Sequence, residues 1–497
     1  MLLETSTQSG QSRPTYASRV CAWTAPSLTD VATGALLLWL LACAFTGGQT
    51  GPLYDATTGF QIRVGQWIAD HGSIPRFDIF SFTRPGEPWF AWEWLADLGL
   101  YFAYAFAGFK GVLLLACSTI ALALGIVLRR MAARGANALV IVALLHLIVG
   151  ASSLHYLARP HVITLFLFAL AIHRPAAWWM VPVTALWANL HGGFAGFVVS
   201  LLIVAAGRFL ERDFVEGRRT AMIAAACGLA SLLNPYGWHE HAHIVEFMRA
   251  SWVVQLVEEF QPPRFGTTAG RYFAVLMVLA LVAAARLVRR RQYGEAMLIA
   301  VWVAAGLNSV RHIPILAVCA APAMAEFLAD QWSSIPVRRG SWWAMFDGIA
   351  HDHSPGFLRI GLAFPILICA LWFVPLPWPD DFPASRFPVD VANRRAGMLA
   401  DARLFTTDYW ADYLIFRNYP RQRAFVDGRC DFYGERITGD YMRVLSAQPG
   451  WQAVMDRTGV NAALVPTDAP LRAALENSSA WQRIERTSQA ELFTRRE

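Results

Sequence analysis

The sequence predicts a mainly α-helical bundle that crosses a membrane many times and carries a soluble α/β segment after its last span. Three observations carry this expectation. Of the 497 residues, 56% are apolar and 16% charged, against roughly 25% charged in soluble globular chains. Long apolar runs recur at 31–46, 111–128, 194–206, 272–287 and 361–374, and a helical crossing needs roughly 20 mostly apolar residues. Beyond residue 380 the long runs stop, and short strand-like and helix-like segments alternate instead.

Taken in order, Arg13 and Arg19 precede the first apolar run. The excess of arginine on the cytoplasmic side of spans places the N-terminal tail, 1–28, in the cytoplasm, and the first span, 29–48, reads as a signal anchor. The loop 49–109 is then external, with Asp55, Asp70, Asp78 and Glu87 among many Gly, Pro and Trp residues. Segment 93–108 is apolar and aromatic but opens on Glu93 and Asp97. If it crossed, Arg129, Arg130 and Arg289–Arg291 would fall outside. Read as an amphipathic helix in the outer interface, with Trp92, Trp94, Tyr101 and Tyr104 as anchors, it leaves them inside.

Ten more spans follow, at 110–128, 137–154, 160–173, 176–190, 194–210, 219–234, 271–288, 294–309, 312–331 and 357–377. About eleven spans thus form a transmembrane domain over 29–377. Each inner loop then holds arginines: Arg129, Arg130 and Arg134; Arg174; Arg208, Arg212, Arg218 and Arg219; Arg286 and Arg289–Arg291; Arg338 and Arg339. The remainder, 378–497, is external. Its strand candidates are 403–407, 424–427, 462–466 and 490–494, and its helix candidates 412–417, 441–445, 451–457 and 470–476.

The net charge is +6, but the basic residues sit in short loops between spans, and no basic stripe interleaved with aromatics appears. Nucleic acid is therefore excluded as a partner, and the lipid bilayer is the partner implied. Seven cysteines without a CxxC spacing form neither a disulfide framework nor a zinc site.

The chemistry-bearing residues gather in the outer loops: Asp55, Asp78 and Glu93 in the first, Arg159 and His161 in the second, Asn189 and His191 in the third, Asn234–Gly237, His239, His241, His243, Glu258 and Glu259 in the fourth, Arg311 and His312 in the fifth. Each has a plain structural reading. Arg159 and Arg311 suit interfacial snorkelling, and Asn234-Pro-Tyr-Gly suits a helix stop with a turn. The three alternating histidines suit a solvated loop better than a metal site, and Asn189 and His191 suit a span cap. Their common side, which the arginine rule did not use, favours a chemical site. Ionisable groups at span ends mark functional positions, and guanidinium forks bind phosphate.

At these residues the chain resembles bacterial GT-C membrane glycosyltransferases, in the broad group related to protein mannosyltransferases and aminoarabinose transferases. The likeness is carried by Gly59-Phe-Gln-Ile-Arg-Val-Gly65, Gly72–Pro75, Asp78–Ser81, Trp92–Leu95, Arg159-Pro-His161, Asn189-Leu-His-Gly192, Asn234–Gly237 and Arg311-His-Ile-Pro314. In the tail Tyr409–Leu414 and Phe425–Arg429 join them. It covers most of 30–330 and part of the tail.

The resemblance implies an external site in loop one with juxtamembrane helices, a polyprenyl-phosphate sugar donor, and inverting transfer with a loop-one carboxylate as base. Relatives often carry D-x-D or D-x-x-x-W-H there. This chain has Asp55-Ala56-Thr57, so no metal ligand set is assigned and no cofactor is expected; a divalent metal stays open but without a D-x-D motif to support it. The expected roles are Asp55 as general base with Asp78 and Glu93 in reserve, Arg159, His161, Arg311 and His312 on the lipid phosphate, and Asn189 and His191 on the sugar. The expected location is a bacterial inner membrane, with the C-terminal segment outside. A transporter or flippase, an O-antigen polymerase or ligase, and a non-catalytic envelope-assembly protein are the alternatives.

Overall fold

The computed structural model describes residues 26–250, 252, 257–338, 340–353 and 362–496. Arg13, Arg19, Cys21, Arg339 and the start of the last expected span lie outside the described residues.

Helix α1, Leu28–Thr46, starts in a capping box: the Ser27 hydroxyl accepts from the Asp30 N–H, and Asp30 accepts from the Ser27 N–H. It stops at Gly47, whose positive φ suits glycine. Helix α2, Thr57–His71, lies in loop one and ends on Gly72, φ +60°. Helix α3, Trp94–Ala133, runs 40 residues but breaks at Ala107 and Gly108, which have non-helical dihedrals. A Cβ on Gly111 would meet the Ala103 carbonyl oxygen. Those residues would be about 12 Å apart along a straight helix, so the chain folds sharply there. The interfacial segment and the following span, separate in the sequence reading, are two helices joined by a glycine hinge.

The bundle continues with α4 (Ala138–Ser152), α5 (His161–Ala171), α6 (Met180–Trp187), α7 (Phe194–Leu210), α8 (Phe214–Ala230), α9 (Trp238–Arg249), α10 (Thr268–Arg289), α11 (Tyr293–Asn308), α12 (Ile313–Ser334), α13 (Trp342–His353) and α14 (Ala363–Phe373). Among the described residues five helices are long and apolar enough to cross a membrane: 28–46, 94–133, 138–155, 268–289 and 310–334. Helices α5 and α6 have 11 and 8 residues, short of the length a bilayer asks for.

The two ends of the bundle differ in charge pattern. Where α3, α10 and α12 end and α11 begins, Arg134 pairs with Glu295 at 3.1 Å and Glu326 at 2.8 Å, Arg290 pairs with Glu326 at 2.5 Å, and Arg286 with Asp330. These are arginines expected on the inner side. Arg311, at the opposite end of α12, is 15 residues from Glu326, about 22 Å along a helix.

The tail adds α15 (Val389–Arg394), α16 (Ala396–Asp401), β1 (Leu404–Phe405), α17 (Asp408–Asn418), α18 (Cys430–Leu445), α19 (Trp451–Thr458), β2 (Ala462–Pro466), α20 (Pro470–Glu476), β3 (Trp481–Arg486) and β4 (Ala490–Arg495). The sheet order is β1-β2-β4-β3, with β1 parallel to β2 and the other pairs antiparallel. Segment 424–427, expected as a strand, makes only single bridges at Ala424, to Leu404 and to Ser81 of loop one. It turns away at once because Asp427 accepts from the Arg429 N–H, 3.1 Å. β3 was not anticipated: Trp-Gln-Arg-Ile-Glu-Arg is a charged edge strand with little apolar signal.

Loop one and the tail share a core. Phe60, Phe80 and Trp89 are buried with Phe405, Phe425, Tyr433 and Trp451. Within it Arg429 bridges Asp78 (2.7 Å) and Asp427 (2.6 Å), both carboxylates fully buried, with the guanidinium 4.5 Å from the Trp89 ring centre.

Candidate active site

Loop one is bolted to the turn before α5. The Ala158 N–H donates to the Pro52 carbonyl, 2.8 Å, and the Thr58 hydroxyl donates to the Ala158 carbonyl, 3.0 Å. This puts Asp55 beside Arg159. Arg159 Nη1 donates to Asp55 Oδ2 and to Glu259 Oε1, both at 2.8 Å. The other Asp55 oxygen accepts from the Thr57 N–H, 2.9 Å, at the start of α2.

Glu259 belongs to the 3₁₀ turn Glu258–Phe260. That turn is fixed to the next one, Val310–His312, by the Ser309 hydroxyl on the Glu259 carbonyl (2.8 Å) and the Val310 N–H on the Gln261 carbonyl (3.1 Å). Arg311 therefore arrives next to Glu259, stacked 4.5 Å from the Phe260 ring centre. Burial alone would raise the Glu259 carboxyl, but Arg159 and Arg311 outweigh it and hold the group well below the usual carboxylate range. Burial raises the Arg159 guanidinium's cost, which Glu259 and Asp55 more than offset, so Arg159 stays charged.

Glu93 and His191 face each other at 3.6 Å, Oε1 to Nε2. The Gly193 N–H donates to His191 Nδ1, 3.0 Å, and the Thr164 hydroxyl lies 2.8 Å from the same nitrogen. The Trp187 N–H donates to that hydroxyl's oxygen, leaving its proton for His191. With Nδ1 accepting, the neutral imidazole carries its proton on Nε2, toward Glu93. Burial drives the imidazole well below its usual value, and Arg311 adds to this. Burial also lifts the Glu93 carboxyl to about 7, against the pull of Arg159 and Arg311 and the hydrogen bond from Gln61, 2.8 Å.

Asn189 is wholly engaged in holding this corner. Its amide donates to the Ala185 and Leu233 carbonyls and its oxygen accepts from the Trp94 indole, each at 2.9 Å. It positions the start of α3, and so Glu93. His161 Nε2 donates to the His155 carbonyl, 2.7 Å, so that nitrogen bears the proton. His312 binds the Ala305 carbonyl, 3.2 Å, and packs on Trp302. Asp78 is taken up by Arg429, Ser81 and the Phe80 N–H.

The histidines of 239–243 form part of α9 rather than a solvated loop. Spacing of two on a helix sends them to different faces. His239 meets the Tyr236 carbonyl, His241 the Ser231 hydroxyl and His243 Asp431 at 3.0 Å. Asn234–Gly237 is a turn, closed by Asn234 on the Tyr236 N–H, with Gly237 at φ +57°.

The tail reaches the site too. Thr57 donates to Asp412, 2.9 Å, and Asp412 also accepts from the Gly428 N–H. Burial, with Asp427 nearby, drives the Asp412 carboxyl well above its usual value. The sequence reading assigned no site role to Glu259, Gln61, Thr164, Asp412 or Asp431. The acidic pair Glu258-Glu259 before Phe260 was a signal for the first. Asp412 lay inside the Tyr409–Leu414 segment of the family likeness, but its contact with Thr57, 355 residues away, had no sequence signal.

The residues do not fit a divalent cation. Asp55 and Glu259 converge, but on the Arg159 nitrogen, and among the described residues no three His, Cys, Asp or Glu side chains are arranged to hold a metal.

Solved structures of similar shape bear on the fold. The oligosaccharyltransferase of Archaeoglobus fulgidus, in its apo form, matches with a TM-score of 0.51 at 12% identity, over 88% of this chain and 69% of that one. ArnT from Cupriavidus metallidurans bound to undecaprenyl phosphate matches at 0.49 and 13% identity, over 92% and 97%. The same protein in its apo state matches at 0.48 and 15%, over 93% and 98%. No protein-family model and no curated protein matches the chain. At such identity the likeness to the oligosaccharyltransferase is one of fold. The chain has a GT-C-like fold, and with five span-length helices among its described residues it is a membrane protein.

Proposed function

We propose that the chain is a membrane glycosyltransferase that moves a sugar from a polyprenyl-phosphate donor to a hydroxyl acceptor, with inversion, on the outer face of a bacterial inner membrane. Arg311 carries this reading. Its half-buried guanidinium has no carboxylate within 4.0 Å among the described residues, while its neighbour Arg159 is taken by two. A cation in that position is suited to an anion brought by a substrate, and the guanidinium fork matches phosphate.

In the proposed step the acceptor hydroxyl attacks the anomeric carbon. The carbon–oxygen bond to phosphate breaks, and polyprenyl phosphate leaves with that electron pair. Asp55 takes the hydroxyl proton, and Glu93 is the second carboxylate within the same electrostatic cluster. Arg311 stabilises the leaving phosphate as its charge grows, with Arg159, His161 and His312 around it. His191 and Asn189 border the sugar position, Asn189 through the corner it holds. The bundle 29–377 holds the lipid, loop 49–109 and the segment 378–497 enclose the site from outside, and the two short helices α5 and α6 leave the sidedness of later loops unchanged whether or not they cross, because they come as a pair.

The test is transfer from a panel of polyprenyl-phosphate sugars by the full chain in lipid nanodiscs. Asp55→Asn should lower kcat by about 10²–10⁴, and Arg311→Ala should raise KM for donor as well. Full activity in Asp55→Asn would remove that base, and a chain that neither binds nor uses any lipid-phosphate donor is not this enzyme.

A further inference from the structure

Two carboxylates from distant parts of the chain, Asp55 and Glu259, share one nitrogen of Arg159 at 2.8 Å each. Their oxygens are thus at most twice that distance apart. Neither is an ordinary surface ion pair. Arg159 has 24% of its side chain exposed, Asp55 20% and Glu259 30%, and the Arg159 Nε is buried with no hydrogen-bond partner. A single cation held between two convergent carboxylates at the mouth of a site is the arrangement in which oxygen-ligand sites hold Mg²⁺ or Mn²⁺, often through one or two carboxylates with water completing the shell. Here a side chain supplies the charge.

We infer that Arg159 stands in for a divalent cation between Asp55 and Glu259, so that the site works without metal, and that removing the guanidinium turns this carboxylate pair into a divalent-cation site. The inference takes the glycosyl-transfer reading as its setting but concerns the charge at this point, which can be measured without any sugar donor. A fixed guanidinium differs from an ion in three ways. It cannot dissociate, its charge does not change with metal supply, and its planar fork sets the orientation of Asp55 through a hydrogen bond rather than a coordination bond. Arg159 is a positioning residue: it acts through Asp55 and Glu259. Without it two like charges would share a half-buried corner, with the Arg311 guanidinium more than 4.0 Å from both. Such a pair either takes up protons or takes up a cation.

The experiment titrates Mn²⁺ into the full chain in nanodiscs and follows the free hydrated ion by electron paramagnetic resonance. Wild type should bind no stoichiometric Mn²⁺, and its transfer activity should survive EDTA. Arg159→Ala and the milder Arg159→Gln should bind one Mn²⁺ at least about tenfold more tightly than wild type, as expected from removing a unit positive charge at contact range. Arg159→Lys should not, and adding Glu259→Gln to Arg159→Gln should abolish the gain. Added Mn²⁺ should restore part of the transfer lost in Arg159→Gln. Stoichiometric Mn²⁺ on wild type, or EDTA-sensitive transfer that Mn²⁺ restores, overturns the inference, as does a folded, monodisperse Arg159→Gln that binds no Mn²⁺. If Arg159→Ala fails to fold, Arg159→Gln and the wild-type titration still decide. If no lipid-phosphate sugar is ever used, the transferase reading falls while the Mn²⁺ titration still judges this one.

Discussion

Glu93→Gln should make the protein more stable in alkaline solution and less stable in acid. The Glu93 side chain is 19% exposed, and burial lifts its carboxyl from 4.5 to about 7 despite Arg159, Arg311 and the Gln61 amide. A folded value above the unfolded one means the protonated form is the one folding favours. That contribution is fully present below pH 4.5 and is lost as pH rises to about 7. Each unit is worth about 1.4 kcal/mol, so at pH 8.5 the ionised carboxylate costs the fold ~3 kcal/mol. Glutamine removes that cost. It keeps an acceptor oxygen for Gln61 and gives up the 3.6 Å polar contact with His191, at up to ~1 kcal/mol. The expected net effect is a gain of ~2 kcal/mol at pH 8.5 and a loss of ~1 kcal/mol near pH 4.5, with the crossover between. Unfolding of the detergent-solubilised chain, followed by tryptophan fluorescence at several pH values, reads this directly. A variant less stable than wild type at pH 8.5, or one whose difference from wild type is the same at every pH, refutes the argument.

Two other perturbations probe how the tail is held. Arg429→Ala leaves Asp78 and Asp427 buried without their cation, a loss of about 3–5 kcal/mol. Limited proteolysis should then cut within 380–496 well before the helical bundle, and unchanged resistance would count against the bridge. His243 on α9 meets Asp431 at 3.0 Å, with Phe90, Trp92 and Phe247 around it and Glu246 as the other charge nearby. Burial lowers its imidazole, but Asp431 outweighs that and raises it. The contact is therefore at full strength below pH 6.5 and fades as pH rises through the raised value. Amide exchange at 430–433, corrected for intrinsic rates, should be slower at pH 6 than at pH 8, and His243→Gln should erase the difference.

Much of the helical frame was legible because hydrophobicity and charge are local properties of a segment. The apolar run 111–128 became the second half of α3, and the aromatic, acid-headed stretch before it became the half that Gly108 bends away. In the tail 462–466 and 470–476 appear as expected, since alternation and a proline at a helix start are short-range signals. Segment 424–427 failed as a strand because one side chain, Asp427, caps a turn there. The outer-loop residues were singled out by type and side. Asp55 and Arg159 do meet, but the same list gave no means of telling a residue with free valence from one already spent. Asn189 and His312 are occupied by backbone carbonyls, and Asp78 by Arg429.

Amino-acid order alone pointed to a lipid environment, to which helices are apolar, and to the loops that carry Asp55, Arg159, His191 and Arg311. Those follow from the transfer energy of side chains, which needs no knowledge of neighbours. Which charges touch was decided only by the folded chain. Glu259 reaches Arg159 across 100 residues and Asp412 reaches Thr57 across 355, through turns whose hydrogen bonds no periodicity reveals. The state of each carboxyl follows from that contact map, because burial and a nearby charge shift a proton's affinity in opposite directions, and only the three-dimensional arrangement says which prevails.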